Sequence, residues 1–126
     1  MSTRTRIRLA AAAGGAMAAA AALPLAAQAA TRATVLSAEV GPGFSISLKD
    51  AAGKKVKELK AGTYTIKVSD KSEVHNFRLY GPGGVNKDTG VKAKGDTTWT
   101  VTLQKGAYTF VCDPHATIMK GKVEVK

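Results

Sequence analysis

Between Phe110 and Gly121 the chain reads FVCDPHATIMKG, and Cys112, His115 and Met119 fall within eight of these residues. Together with His75 they are the full stock of thiol, imidazole and thioether side chains beyond residue 30. One thiolate, two imidazoles and one thioether form a set that suits copper, with two His and a Cys in a trigonal plane and a Met at a long axial distance. Thiolate donates strongly to Cu(II), while thiolate and thioether also suit Cu(I). One geometry then serves both oxidation states, and little moves when an electron does. Zinc prefers more thiolates or a carboxylate and does not use thioether, so Met119 argues against it. Singly, a His on an apolar face, a Met or a buried Cys is ordinary packing. The gathering of all four is what points to a metal.

The spacing agrees with that chemistry. Cys112-x-x-His115 ends a run of alternating residues, and Pro114 stiffens a turn that returns His115 toward the thiolate. Three residues then separate His115 from Met119, enough to cross the site before Val123 opens a last strand. His75 arrives from elsewhere in the chain to complete the plane.

Those side chains need a frame, and the apolar period past Ala30 is two. Phe44, Ile46 and Leu48 share a face, as do Tyr64, Ile66 and Val68; His75, Phe77 and Leu79; Trp99, Val101 and Leu103; and Tyr108, Phe110 and Cys112. Short alternating strands separated by Gly- and Pro-bearing turns, with no helical period, predict an all-β, antiparallel sandwich over about Ala33 to Lys126. The stretch from Gly81 to Lys94 reads as an irregular surface excursion. His75 opens its strand and Cys112 ends another, so antiparallel neighbours would bring the two to one end of the sandwich.

His75-Asn76, then Tyr108-Thr-Phe-Val-Cys112-Asp-Pro-His115, then Met119-Lys-Gly121 resemble the type 1 (blue) copper proteins, the cupredoxins. The likeness runs from about Ser37 to Lys126 and is nearest to plastocyanin, pseudoazurin and amicyanin. It implies a Greek-key sandwich with His75, Cys112 and His115 as equatorial copper ligands and Met119 as the axial one. It also implies that Asn76 ties the two ligand loops together and that the edge of His115 passes electrons. Gly81-Pro82-Gly83-Gly84 with Ala116, Thr117 and Ile118 would form a weakly apolar docking patch. Three residues between His115 and Met119 lie between the four of plastocyanin and pseudoazurin and the two of amicyanin. Asp113 stands where Ser or Thr is more usual, and would favour Cu(II) unless Lys120 offsets it.

Upstream, Arg4, Arg6 and Arg8 precede an Ala-rich run from Leu9 to Leu25, then Ala27-Gln28-Ala29. That order predicts an export signal over residues 1–29 on the general secretory route, with the domain over 30–126 in the periplasm or medium. A membrane anchor is the rival, but Ala and Gly make the run weakly apolar and a cleavage site follows it. Cleavage leaves 16 basic residues against nine acidic ones, a balance of +7. Such a surface steers toward acidic redox partners or anionic lipid, although the ordinary reading of scattered charge is a solvated surface. The lysines are scattered without a basic stripe or interleaved aromatics, which argues against nucleic acid. The reading is a monomeric single-electron carrier and not an enzyme, because Met119 fills the position a catalytic metal leaves open. Copper delivery or storage is the alternative, though the flexible Met- or His-rich segments suited to it are absent.

Overall fold

Alternation sets the two inner faces. The computed structural model describes residues 33–126, so the export signal read over 1–29 lies outside the described residues. Strand β1 (Thr34–Val40) turns Leu36, Ala38 and Val40 inward, and β4 (Gly62–Asp70) does the same with Tyr64, Ile66 and Val68. With β2 (Ile46–Lys49) and β7 (Gly95–Leu103) they form one sheet in the order β2-β1-β4-β7. The second sheet contains β3 (Glu58–Leu59), β5 (Arg78–Gly81), β6 (Val85–Asp88), β8 (Gly106–Val111) and β9 (Lys120–Val125), in the order β3-β9-β8-β5-β6. The chain crosses between sheets after β2, β3, β4, β6 and β7, as a Greek-key sandwich requires.

Leu36, Ile66, Phe77, Leu79, Tyr108 and Val123 fill the space between the sheets. Each contributes on the order of 1.5–3 kcal/mol by leaving water. Tyr108 keeps its hydroxyl satisfied there, donating to the Pro82 carbonyl at 2.9 Å and accepting from the Gln104 amide at 3.0 Å. Among the described residues no helix is long and apolar enough to cross a membrane.

The sheets are mixed, where antiparallel ones were expected. Strands β1 and β4 run parallel from Thr34↔Tyr64 to Val40↔Asp70, and β3 runs parallel to β9. Between β1 and β4 the chain visits the other sheet and re-enters from the same end. A two-residue period records which side chains face inward and carries no information on strand direction. The expected excursion over 81–94 contains β6, an edge strand paired only with β5, in which Asn86, Lys87 and Asp88 are exposed. An edge strand with such residues shows no apolar alternation. Gly83 and Gly84, at φ +74° and +73°, make the turn between β5 and β6, a conformation glycine adopts without strain.

Phe44 also departs from expectation. It does not join Ile46 and Leu48 on the inner face but is 68% exposed. The chain bends over Pro42–Phe44 before β2 begins, so the alternation through Phe44 is not that of a strand.

Candidate metal centre

Two ligand-bearing segments meet at one end of the sandwich, and strand register brings them there. Strands β5 and β8 pair Tyr80↔Thr109, Leu79↔Phe110 and Arg78↔Val111. Continuing that register sets Phe77 against Cys112 and Asn76 against Asp113. The backbone ladder stops at Arg78, and the Asn76 side chain continues it. Its Oδ1 accepts from the Asp113 amide at 2.7 Å, while its Nδ2 donates to Asp113 Oδ2 at 2.7 Å and to Asp88 Oδ1 at 2.9 Å. Asn76 is buried although it alternates with the inward His75 and Phe77, because His75 and Asn76 precede β5 rather than open it. The tie between loops that the family resemblance implied is present.

The His75 segment has its own anchors. The Phe77 amide donates to Thr89 Oγ1 at 2.9 Å, and that hydroxyl donates to Asp70 Oδ2 at 3.2 Å. Burial pushes the Asp70 carboxyl above its ordinary value, against the lowering effect of hydrogen bonds from the Ser72 amide and Thr89. Gly41, at φ +72°, passes so close that a Cβ there would stand 3.0 Å from His75 Cδ2.

Beyond Cys112, a 3-10 turn over Asp113–His115 carries Pro114 at its start. The Met119 carbonyl accepts from the Cys112 amide at 2.9 Å, and the His115 carbonyl accepts from the Met119 amide at 2.8 Å. These bonds close the loop and hold the fully buried Met119 beside Cys112, which follows β8 rather than ending it as expected.

The result is a convergence of three donor atoms. His75 Nδ1 lies 3.1 Å from His115 Nδ1, and Cys112 Sγ lies 3.6 Å from the first and 3.5 Å from the second. Metal–nitrogen bonds of about 2.0 Å and a metal–sulfur bond of about 2.3 Å, spread in a plane, require edges of roughly 3.5–3.7 Å. The observed triangle fits one small ion, with the nitrogens drawn slightly together. Cys112 and His75 are buried and His115 is partly exposed, so one imidazole edge reaches the surface. The rings of His75 and His115 meet edge-on at 4.7 Å, and Phe44 lies edge-on to both, at 5.8 and 5.0 Å.

An ion pair braces the turn. Arg78 Nη2 donates to Asp113 Oδ1 at 2.7 Å and Nε to both carboxylate oxygens at 3.0 Å. Hydrogen bonding from Arg78 above all, with help from Asn76 against the opposing effect of burial, holds the Asp113 carboxyl below its ordinary range. The cation that offsets Asp113 is therefore Arg78, and Lys120 has no bond to it. The sequence reading missed Arg78, although its place beside Asn76 in the same strand register was a usable signal. Phe44 was misassigned to the core.

The expected docking patch divides. Tyr108 ties Pro82 to the Gly106 end of β8, the opposite end of that strand from Cys112, so Gly81–Gly84 is remote from the centre. Phe44, Val74 and Ile118, exposed by 61–68%, are the large apolar side chains flanking the ligand loops.

A Greek-key sandwich closing over a buried thiol and two convergent imidazoles defines a mononuclear metal-binding domain. Residues 46–126 match the model of the copper binding proteins of the plastocyanin/azurin family. The chain belongs to that family, the cupredoxins, and its His75-Cys112-His115 cluster fits one type 1 copper ion. Among solved structures it resembles reduced rusticyanin, with 28% identity, 73% of this chain and 78% of that one covered and a TM-score of 0.54. A further structure of the copper protein rusticyanin matches at 25% identity over 73% and 76% of the two chains, with a TM-score of 0.55. Rusticyanin from Thiobacillus ferrooxidans matches at 29%, 73% and 76%, with a TM-score of 0.51. No curated protein matches the chain at a significant level.

Proposed function

We propose that this protein is an exported, monomeric blue copper protein that carries single electrons between redox partners and catalyses no reaction of its own. The observation that carries the reading is the triangle of His75 Nδ1, Cys112 Sγ and His115 Nδ1 at 3.1–3.6 Å. Bound copper supplies the one-electron couple between Cu(II) and Cu(I). His75, Cys112 and His115 would hold it through two imidazoles and a thiolate, and Met119 would add a thioether. Asn76, Asp113 and Arg78 keep the Cys112 turn from moving as the charge changes. Phe44 and the apolar core exclude water from one side, leaving the edge of His115 as the contact for a partner.

Phe44, Val74 and Ile118 give that contact an apolar rim, and the +7 balance of the domain after residue 29 steers acidic partners toward it. Export through the signal over residues 1–29 would place the exchange in the periplasm or medium.

The test is to load the purified protein with Cu(II) and record its visible spectrum, then repeat with Cys112→Ser. An intense charge-transfer band that disappears in the variant is expected, since a hydroxyl cannot replace the thiolate. A band unchanged by Cys112→Ser would refute the site. Transfer of the metal itself to an apo-acceptor, with no electron exchange, would replace the carrier reading with copper delivery.

A further inference from the structure

A second feature lies on the flank of the sandwich, where β2 of one sheet faces β9 of the other. The segment Lys55–Lys57 crosses between them, with the Val56 amide donating to the Leu48 carbonyl and the Lys57 carbonyl accepting from the Glu124 amide, both at 2.9 Å. A cleft of about 200 Å³ opens there, with Ile46, Leu48, Val56 and Phe110 as its apolar walls and Lys55, Lys57, Lys120 and Lys122 around it. All four lysines are exposed. None belongs to an ion pair among the described residues, which are Lys71–Glu39, Arg78–Asp113 and Lys126–Glu58.

The backbone beside the cleft is open as well. Residues Lys120 to Val125 pair with β8, while β3 accompanies β9 only at Glu124 and Val125. The Glu124 and Lys126 amides point toward β3 and its lead-in segment, bonding Lys57 and Leu59 carbonyls. By strand alternation the amides of Lys120 and Lys122 point the same way, where no strand accompanies them. An unpaired strand edge is a template for an added strand.

We propose that this cleft is a docking site for an extended acidic segment of a partner protein, separate from the apolar rim around His115. The guest lies along the Lys120–Lys122 edge and adds a short strand ahead of β3. Main-chain hydrogen bonds of this kind supply affinity, and pockets for alternate side chains supply specificity. At about 200 Å³ the cleft has room for one large apolar side chain of the guest. Carboxylates flanking that side chain meet the four lysines, so the charge complementarity selects an acidic segment. Phe110 walls the cleft two residues before Cys112, and Lys120 borders it one residue after Met119, so an occupant sits against both ends of the ligand loop.

The test uses the full exported domain, ¹⁵N-labelled, in its Cu(I) form and again without metal. The second sample separates a failure of this proposal from a failure of the copper reading. The probe is the capped peptide Asp-Glu-Phe-Glu-Asp at low salt, with Asn-Gln-Phe-Gln-Asn as control. Amide shifts at Lys57, Phe110, Lys120 and Lys122 are expected with the acidic peptide only. Lys57→Glu with Lys122→Glu should weaken binding at least tenfold, while Ile118→Ser leaves it unchanged. Shifts confined to residues 115–118, or equal binding of the neutral peptide, overturn the proposal. So do shifts at the cleft produced by phosphatidylglycerol vesicles when the peptide produces none, which would make this flank a lipid contact.

Discussion

Replacing Arg78 by Gln removes the cation bound to Asp113 while leaving Asn76 to hold the turn. The carboxylate then stands uncompensated one residue from Cys112. Asp113 directly follows Cys112, and two Cα steps, roughly 8 Å, set the scale of the distance from its carboxylate to the ligand triangle. A unit charge at that distance is worth about 2 kcal/mol at an effective dielectric of 20. The pair is partly exposed, with side-chain exposures of 31% and 39%, and solvent screening lowers the figure toward about 1 kcal/mol. For a one-electron couple, where 59 mV is a tenfold change, this corresponds to about 40–90 mV. An unpaired anion favours Cu(II), so Arg78→Gln lowers the reduction potential. Asp113→Asn leaves Arg78 unpaired and raises it by a similar amount, and the double variant returns near the starting value.

Potentiometric titration of the copper-loaded proteins, followed at the visible band, measures all four potentials. The opposite signs make the argument refutable. If the pair acted by holding loop geometry, loss of either partner would loosen the same turn, and both single variants would move the potential in one direction. Shifts of the same sign, or an Arg78→Gln shift below about 10 mV, would refute the charge argument.

Met119→Leu should retain copper and colour, because the axial thioether proposed for Met119 would be a long, weak bond, with a raised potential where Leu excludes water; release of the metal on dialysis would deny Met119 an axial role. Gly121 lies opposite Phe110 in the β8–β9 register, and a Cβ there would overlap the Phe110 ring. Gly121→Ala should therefore cost about 1–3 kcal/mol in urea unfolding, and a neutral result would show that the ring can move aside. Asp113 has a folded-state pKa below its unfolded value, so its stabilisation is full above the unfolded carboxylate value of about 3.9 and is lost as pH falls through the folded value. Metal-free Asp113→Asn should show a weaker fall in stability across that window than the parent, and parallel curves would remove Asp113 from the acid response.

The inward faces were readable because burial and alternation coincide in long central strands. Tyr64, Ile66 and Val68 face the core from β4, and Tyr108 and Phe110 face it from β8, as their parity predicts. The convergence of His75, Cys112 and His115 was readable for a different reason, the scarcity of Cys and His elsewhere in the domain. Strand direction was not, since parallel and antiparallel partners bury the same parity. Phe44 was misplaced because alternation continues formally through a bend where the backbone has left the sheet. Arg78 was not legible because an arginine on a strand reads as solvated charge until the turn that brings Asp113 beside it is known.

That register also bears on how the metal meets the protein. Asn76 bonds Asp113 and Asp88, Thr89 bonds the Phe77 amide and Asp70, and the Cys112 amide bonds Met119. None of these bonds uses a donor atom of the His75-Cys112-His115 triangle. The loops are therefore held by contacts that do not themselves need a metal bond, unlike small metal domains that are unfolded without their metal. Backbone movement of either ligand-bearing loop would have to break these hydrogen bonds. The rigidity of the centre thus resides as much in Asn76, Thr89 and Arg78 as in His75, Cys112 and His115.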